Sequence, residues 1–142
     1  MNRAQGSAHD SNDRAGPEKA AIEAIYATGH WLLARERISE AARVFRLMLR
    51  AAPRDERAWL GLGECHERIE QPRIAAELYG AGSIVGGDEG MMSVRCLIAR
   101  ARTLSKLGAD VAETLESATI AAADMGDEEL VALVASERRR LS

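Results

Sequence analysis

Cys65 and His66 stand side by side in the stretch ECHER, and a thiol beside an imidazole is the pairing that a cysteine nucleophile uses. Neighbouring positions on a helix leave on different faces, so these two side chains cannot share a proton. The other histidines are His9 and His30, the other cysteine is Cys96, and no His/Cys group has zinc-ligand spacing. The Gly-Leu-Gly of residues 61–63 lies inside a helical stretch, and the phosphate-loop pattern G-x-x-x-x-G-K-[ST] is absent. No serine or cysteine has an evident partner base. Arg138, Arg139 and Arg140 form a basic run that suits a helix C-terminus better than a nucleic-acid site. The expectation is therefore no catalytic residue, no metal and no cofactor. What remains is recognition.

The residues that recognise must be held by helices. Alanine, leucine, glutamate and arginine dominate the 142 residues, and β-branched residues are sparse. No segment shows convincing strand alternation. The net charge of −3 gives no electrostatic case for nucleic acid. Two cysteines are too few for a secreted disulfide scaffold. The start, MNRAQGSAHDSNDRAGPEKA, has no apolar signal-peptide core, and no run approaches the ~18 apolar residues of a membrane helix. A cytoplasmic protein without direct membrane insertion is expected.

Residues 1–17 read as a disordered tail, with a helix starting at Pro17 and Glu18. Apolar stripes of helical period follow: Ile25, Thr28, Gly29, Leu32; Ala41, Val44, Phe45, Met48; Trp59, Leu62, Gly63, His66; Ile74, Ala75, Leu78, Tyr79, Gly82. Two more run through Val94–Ala101 and Val111–Ala122. A last helix after the cap pair Gly126-Asp127 carries Leu130, Val131 and Val134 inward.

The stripes repeat. Gly29 and Gly63, Ala41 and Ala75, Phe45 and Tyr79, and Pro53 and Gly87 are each 34 residues apart. That is the period of the tetratricopeptide repeat. The predicted fold is all-α: a tetratricopeptide solenoid of three helix hairpins (about 22–53, 56–87 and 90–125) and a C-terminal capping helix over 127–142. Gly63 and Ala75 are small where two helix axes approach to ~8–10 Å. Tyr79 fills the space beyond, Trp59 and Leu62 bury the remaining face, and Pro53 closes the preceding helix. Gly61 lies off this stripe and is expected on the open face. Glu36 and Glu70 stand where the repeat often has glycine. VGGDEG, residues 85–90, lengthens the linker to the third hairpin, whose small-residue signature is blurred.

In such a solenoid the first helix of each hairpin lines the concave side. Positions off its packed face are Tyr26, His30 and Leu33 in the first repeat. Moving one repeat along gives Leu60, Glu64 and Glu67, with Arg68 beside them. Either another polypeptide covers the apolar members, or the N-terminal segment or the third repeat does. All five aromatics fall in the first two repeats; Phe45, Trp59 and Tyr79 are core by position, and Trp31 is left for a contact with the tail or with a second copy.

The segment AIYATGHWLLARERISEAARVFRLMLRAAPRDERAWLGLGECHERIEQPRIAAELYGAG resembles the class II chaperones of bacterial type III secretion, which hold translocator subunits. The matching motifs are Tyr26 to Gly29, Glu40 to Phe45, Trp59 to Cys65 and Ala75 to Tyr79. The resemblance covers residues 22–82 well. It implies three repeats, no enzymatic activity, and a groove at Tyr26, His30, Leu33, Leu60 and Glu64 that takes an extended segment of a secreted translocator-type client. It allows a homodimer, although family members dimerise through a helix ahead of the first repeat, where this sequence reads as a tail. A general tetratricopeptide adaptor, or a chaperone for a needle or filament subunit, is the alternative.

Overall fold

A computed structural model describes residues 3–88 and 90–142, with side-chain surroundings from Glu18 onward. The described residues form seven helices and no strand: α1 (Arg3–Ala34), α2 (Ile38–Ala51), α3 (Glu56–Arg68), α4 (Pro72–Val85), α5 (Val94–Lys106), α6 (Ala112–Met125) and α7 (Glu128–Leu141). They pack as the hairpins α1–α2, α3–α4 and α5–α6, with α7 closing the end against α5 and α6. The tail expected over 1–17 lies outside the residues whose side chains are described. α1 begins at Arg3, ahead of the start expected at Pro17; a proline's fixed φ is itself helical, and its cost is one ladder bond and crowding of the preceding turn.

Local chemistry sets the boundaries. The first helices of the second and third hairpins carry side-chain caps: Asp55 accepts from the Arg57 backbone N–H, and Ser93 from that of Cys96. Asp127 caps α7 in the same way, directly after left-handed Gly126. Within the three hairpins the turn is built alike. Glu36 N–H donates to the Leu33 carbonyl and Arg37 N–H to that of Leu32; Glu70 with Glu67 and Gln71 with His66 repeat the pattern, as do Gly108 with Ser105 and Ala109 with Leu104. This is the Schellman closure, which needs a left-handed residue at its fifth position. Gly108 supplies it freely at φ 75°, whereas Glu36 (φ 60°) and Glu70 (φ 61°) are held there against their Cβ atoms. The left-handed residues at 36 and 70 are one repeat apart, and the next, at 108, comes four residues late, because the 85–90 linker is longer. That shift fixes the register of the third repeat.

The core explains the glycines. A Cβ at Gly29 would stand 2.9 Å from the Phe45 ring, and one at Gly61 would overlap the same ring. Phe45, on α2, thus inserts between the first helices of two successive hairpins. Gly61 is buried, not on the open face as its off-stripe position suggested, because the second packed face of α3 belongs to the preceding hairpin. Gly63 makes room for the Tyr79 ring itself, with Ala75 a turn away, and Gly82 lies against Trp59. Trp59 is only half-buried, since its indole N–H must reach a partner and donates to the Pro53 carbonyl at 2.8 Å. Thr28, Ile74 and Val131, placed on inward stripes, are exposed; each sits at a stripe's edge, where the helical period turns away from the core.

Two apolar clusters result. One joins Leu32, Leu33, Phe45, Met48, Leu62 and Cys65; the other joins Leu97, Ile98, Ala118, Ala122, Leu130 and Val134. The second has no aromatic ring, which is why the small-residue signature fades there. α7 is further tied down by Glu137, nearly buried, which accepts from Arg102 of α5 and, at 2.6 Å, from Arg140. The Arg102 bond, with Arg140 assisting, holds the Glu137 carboxyl below the usual carboxylate range.

Three outcomes are expected of stability measurements by denaturant titration. Gly61→Ala forces the Phe45 ring out of its notch and costs about 1–3 kcal/mol. Glu36→Gly and Glu70→Gly relieve left-handed strain and each stabilise by up to about 1 kcal/mol, net of glycine's chain entropy. Glu137→Gln destabilises at neutral pH by roughly 1–3 kcal/mol. Because the folded carboxyl titrates below its ordinary value of 4.5, its contribution is present above that pH and lost as pH falls through the lowered value. The Glu137→Gln penalty should therefore vanish in acid.

Candidate functional site

The first helices form a side-by-side row: α1 packs on α3, α3 on α5, and α5 on α7. Polar links run along it. Arg68 of α3 donates to the Leu33 carbonyl at 3.2 Å and lies 4.0 Å from Glu36. Glu67 accepts from Tyr79 Oη at 2.6 Å and from Thr103 Oγ1 at 3.2 Å, and its carboxylate is 3.6 Å from Lys106 Nζ. Burial first, and the Glu67 bond second, push the Tyr79 phenol's pKa up, so Tyr79 stays a donor at any physiological pH.

Of the residues expected in the groove, Tyr26, His30, Leu60 and Glu64 all keep part of their surface open. The Tyr26 and His30 rings are 5.8 Å apart and tilted. Glu64 holds Arg68 at 3.3 Å. Leu33 is the correction: it is 3 % exposed and belongs to the first apolar cluster. The apolar stripe of α1 widens at its last turn, where α2 and α3 both approach, and Arg68 crosses to the Leu33 carbonyl. Glu67 and Arg68 serve as braces between helices.

Two features escaped sequence reading. The Arg57 guanidinium lies 4.4 Å over the Tyr26 ring, held by Asp55 at 2.8 Å and by Glu23 at 2.6 Å. The Arg57 hydrogen bond lowers the Asp55 pKa. A cation over a half-buried tyrosine leaves a flat, polarised surface at the α1 end of the row. Sequence spacing carried no signal for it, because the partners come from two helices and a turn. The second feature is a cavity of about 630 Å³ between α4 and α5, floored by Ala76, Gly80 and Ile84 with Leu104 and Leu107 opposite. One repeat earlier, the position of Gly80 is held by Arg46, which borders a smaller cavity of about 170 Å³. Comparing the two repeats position by position would have flagged the arginine-to-glycine change.

The groups with reactive potential are quiescent. Burial pushes the Cys65 and Cys96 thiols up to about 11, so both are protonated at neutral pH. His66 Nδ1 bonds Gln71 Oε1 at 2.7 Å, and Cys65 faces the core. Among the described residues no group of three His, Cys, Asp or Glu could hold a metal ion, and no helix is long and apolar enough to cross a membrane. The row offers aromatic and aliphatic surface with a few polar groups between. It can bind an extended chain by side-chain contact.

No family model and no curated protein matches the sequence. Solved structures do match. A type III secretion complex from Aeromonas hydrophila superposes with a TM-score of 0.68 at 27 % identity, over 86 % of this chain and 79 % of that one. PcrH, from Pseudomonas aeruginosa, in complex with the chaperone binding region of PopB superposes with a TM-score of 0.66 at 25 % identity, over 83 % and 94 %. The Yersinia enterocolitica type III secretion translocator chaperone SycD does so with a TM-score of 0.68 at 23 % identity, over 83 % and 87 %. Superposition over 83–86 % of this chain and 79–94 % of the matched chains gives it the fold of the type III secretion translocator chaperones.

Proposed function

We propose that this chain is a cytoplasmic, non-enzymatic chaperone of bacterial type III secretion. It holds an extended segment of a translocator-type client along the row of first helices, keeping the client soluble and apart from premature partners. One observation carries the reading: Tyr26 and His30 of α1, and Leu60 and Glu64 of α3, remain accessible on helices that pack side by side, in a fold whose relative PcrH is seen with the chaperone binding region of PopB. Half-open apolar side chains on adjacent helices provide apolar footholds. A proline-containing, extended segment loses little chain entropy on settling onto them. Trp31, 48 % exposed and stacked under Arg35 at 3.9 Å, is the surface on which a second copy would dock.

Co-expression tests this. A membrane-active protein encoded beside this chain should become soluble only in its presence. Tyr26→Ala combined with Leu60→Glu should abolish the rescue, while the circular dichroism spectrum stays that of the parent and the unfolding midpoint drops only modestly, because Tyr26 also packs against the first apolar cluster. Rescue retained by a folded double variant would move the client elsewhere, and solubilisation of a small helical needle subunit instead would favour a different class of client.

A further inference from the structure

The row of first helices is not chemically uniform along its length. At the α1–α3 end it presents Tyr26, His30 and Leu60. At the α5–α7 end lies a cavity of about 460 Å³ bordered by Arg102, Ser105, Lys106, Arg140 and Leu141. Three cations from two helices converge there, in a chain whose net charge is −3. Two carboxylates accompany them. Glu137 pairs with Arg102 and Arg140, and Glu67 approaches Lys106. The carboxylates are turned inward, with side chains 6 % and 25 % exposed, whereas Arg102, Lys106 and Arg140 are 47 %, 71 % and 58 % exposed. What solvent meets at this mouth is positive. Helix C-termini favour cations, which accounts for Lys106 and Arg140 being basic. It does not account for their meeting, with Arg102, around one opening.

We propose that the α5–α7 end of the row is a docking site for an acidic stretch of polypeptide, contacted by Lys106 and Arg140 with Arg102 behind them. In the reading given above, on which this rests, the stretch lies in the same client segment whose apolar part occupies Tyr26 and Leu60. The segment is thereby given a direction: apolar residues over α1 and α3, carboxylates over α5 and α7. Direction is what apolar pockets alone specify poorly, because charge complementarity sets register where greasy contact does not.

The probe is a fluorescein-labelled hexaglutamate peptide, titrated with the full chain at low salt and followed by anisotropy. Binding is expected. Lys106→Glu with Arg140→Glu should weaken it by about ten-fold or more, the sum of two exposed charge contacts reversed. Arg43→Glu with Arg50→Glu, which reverses two exposed cations of α2, should leave it unchanged. Should the first pair loosen α7, Lys106→Ala with Arg140→Ala gives the same test without reversal. No binding of hexaglutamate, equal binding by the α5–α7 variants, or an equal loss from the α2 pair would overturn the proposal. Hexaglutamate has no apolar anchor, so this result does not depend on the client. The client reading fails separately, on rescue retained by Tyr26→Ala with Leu60→Glu.

Discussion

A single phenyl ring, inserted between glycines on the first helices of two successive hairpins, sets the spacing on which the rest of the structure depends. Phe45 belongs to α2, yet it lies against Gly29 of α1 and Gly61 of α3. Without side chains at those two positions, a large apolar ring is buried where the first two hairpins join, and α1 and α3 become neighbours. Tyr79 against Gly63 repeats the device within the second hairpin. Close packing makes such a notch intolerant: an added methyl has nowhere to go except into the ring.

Once the hairpins are seated, polar contacts fix how they are turned relative to one another. Glu67 ties α3 to Tyr79 of α4 and Thr103 of α5. Ser93 caps α5 while its hydroxyl donates to Glu56 Oε2 at 2.6 Å, joining the second hairpin to the third. Among the described residues no buried side-chain polar atom lacks a partner. Such networks add modest net stability, but leaving one member unmatched is costly, so they select one stacking geometry among several that apolar contact would accept.

The exposed face of the row of first helices follows from this stacking. An isolated hairpin has no groove; the row of first helices exists only because successive hairpins keep one register. Along that row the surface changes from aromatic and aliphatic to cationic. The left-handed glutamates at 36 and 70 sit at the end of the first two of those helices, so their strain is spent on the turns that keep the row in line.

Much of this was legible in the residues. The helical stripes, the 34-residue spacing of Gly29 with Gly63 and Phe45 with Tyr79, and the Gly126-Asp127 cap pair are local or periodic; the stripes named an all-α chain and the spacing a solenoid. Even the awkward glutamates at 36 and 70 could be picked out against the repeat. What sequence could not decide is which second face of each helix meets the neighbouring hairpin. That contact buried Gly61 and Leu33, brought Arg57 over Tyr26, and gathered Arg102, Lys106 and Arg140 around one opening. A repeat period fixes what lies on one helix and in one hairpin. Contacts between hairpins depend on the angle at which they stack, and only the packed side chains set that angle.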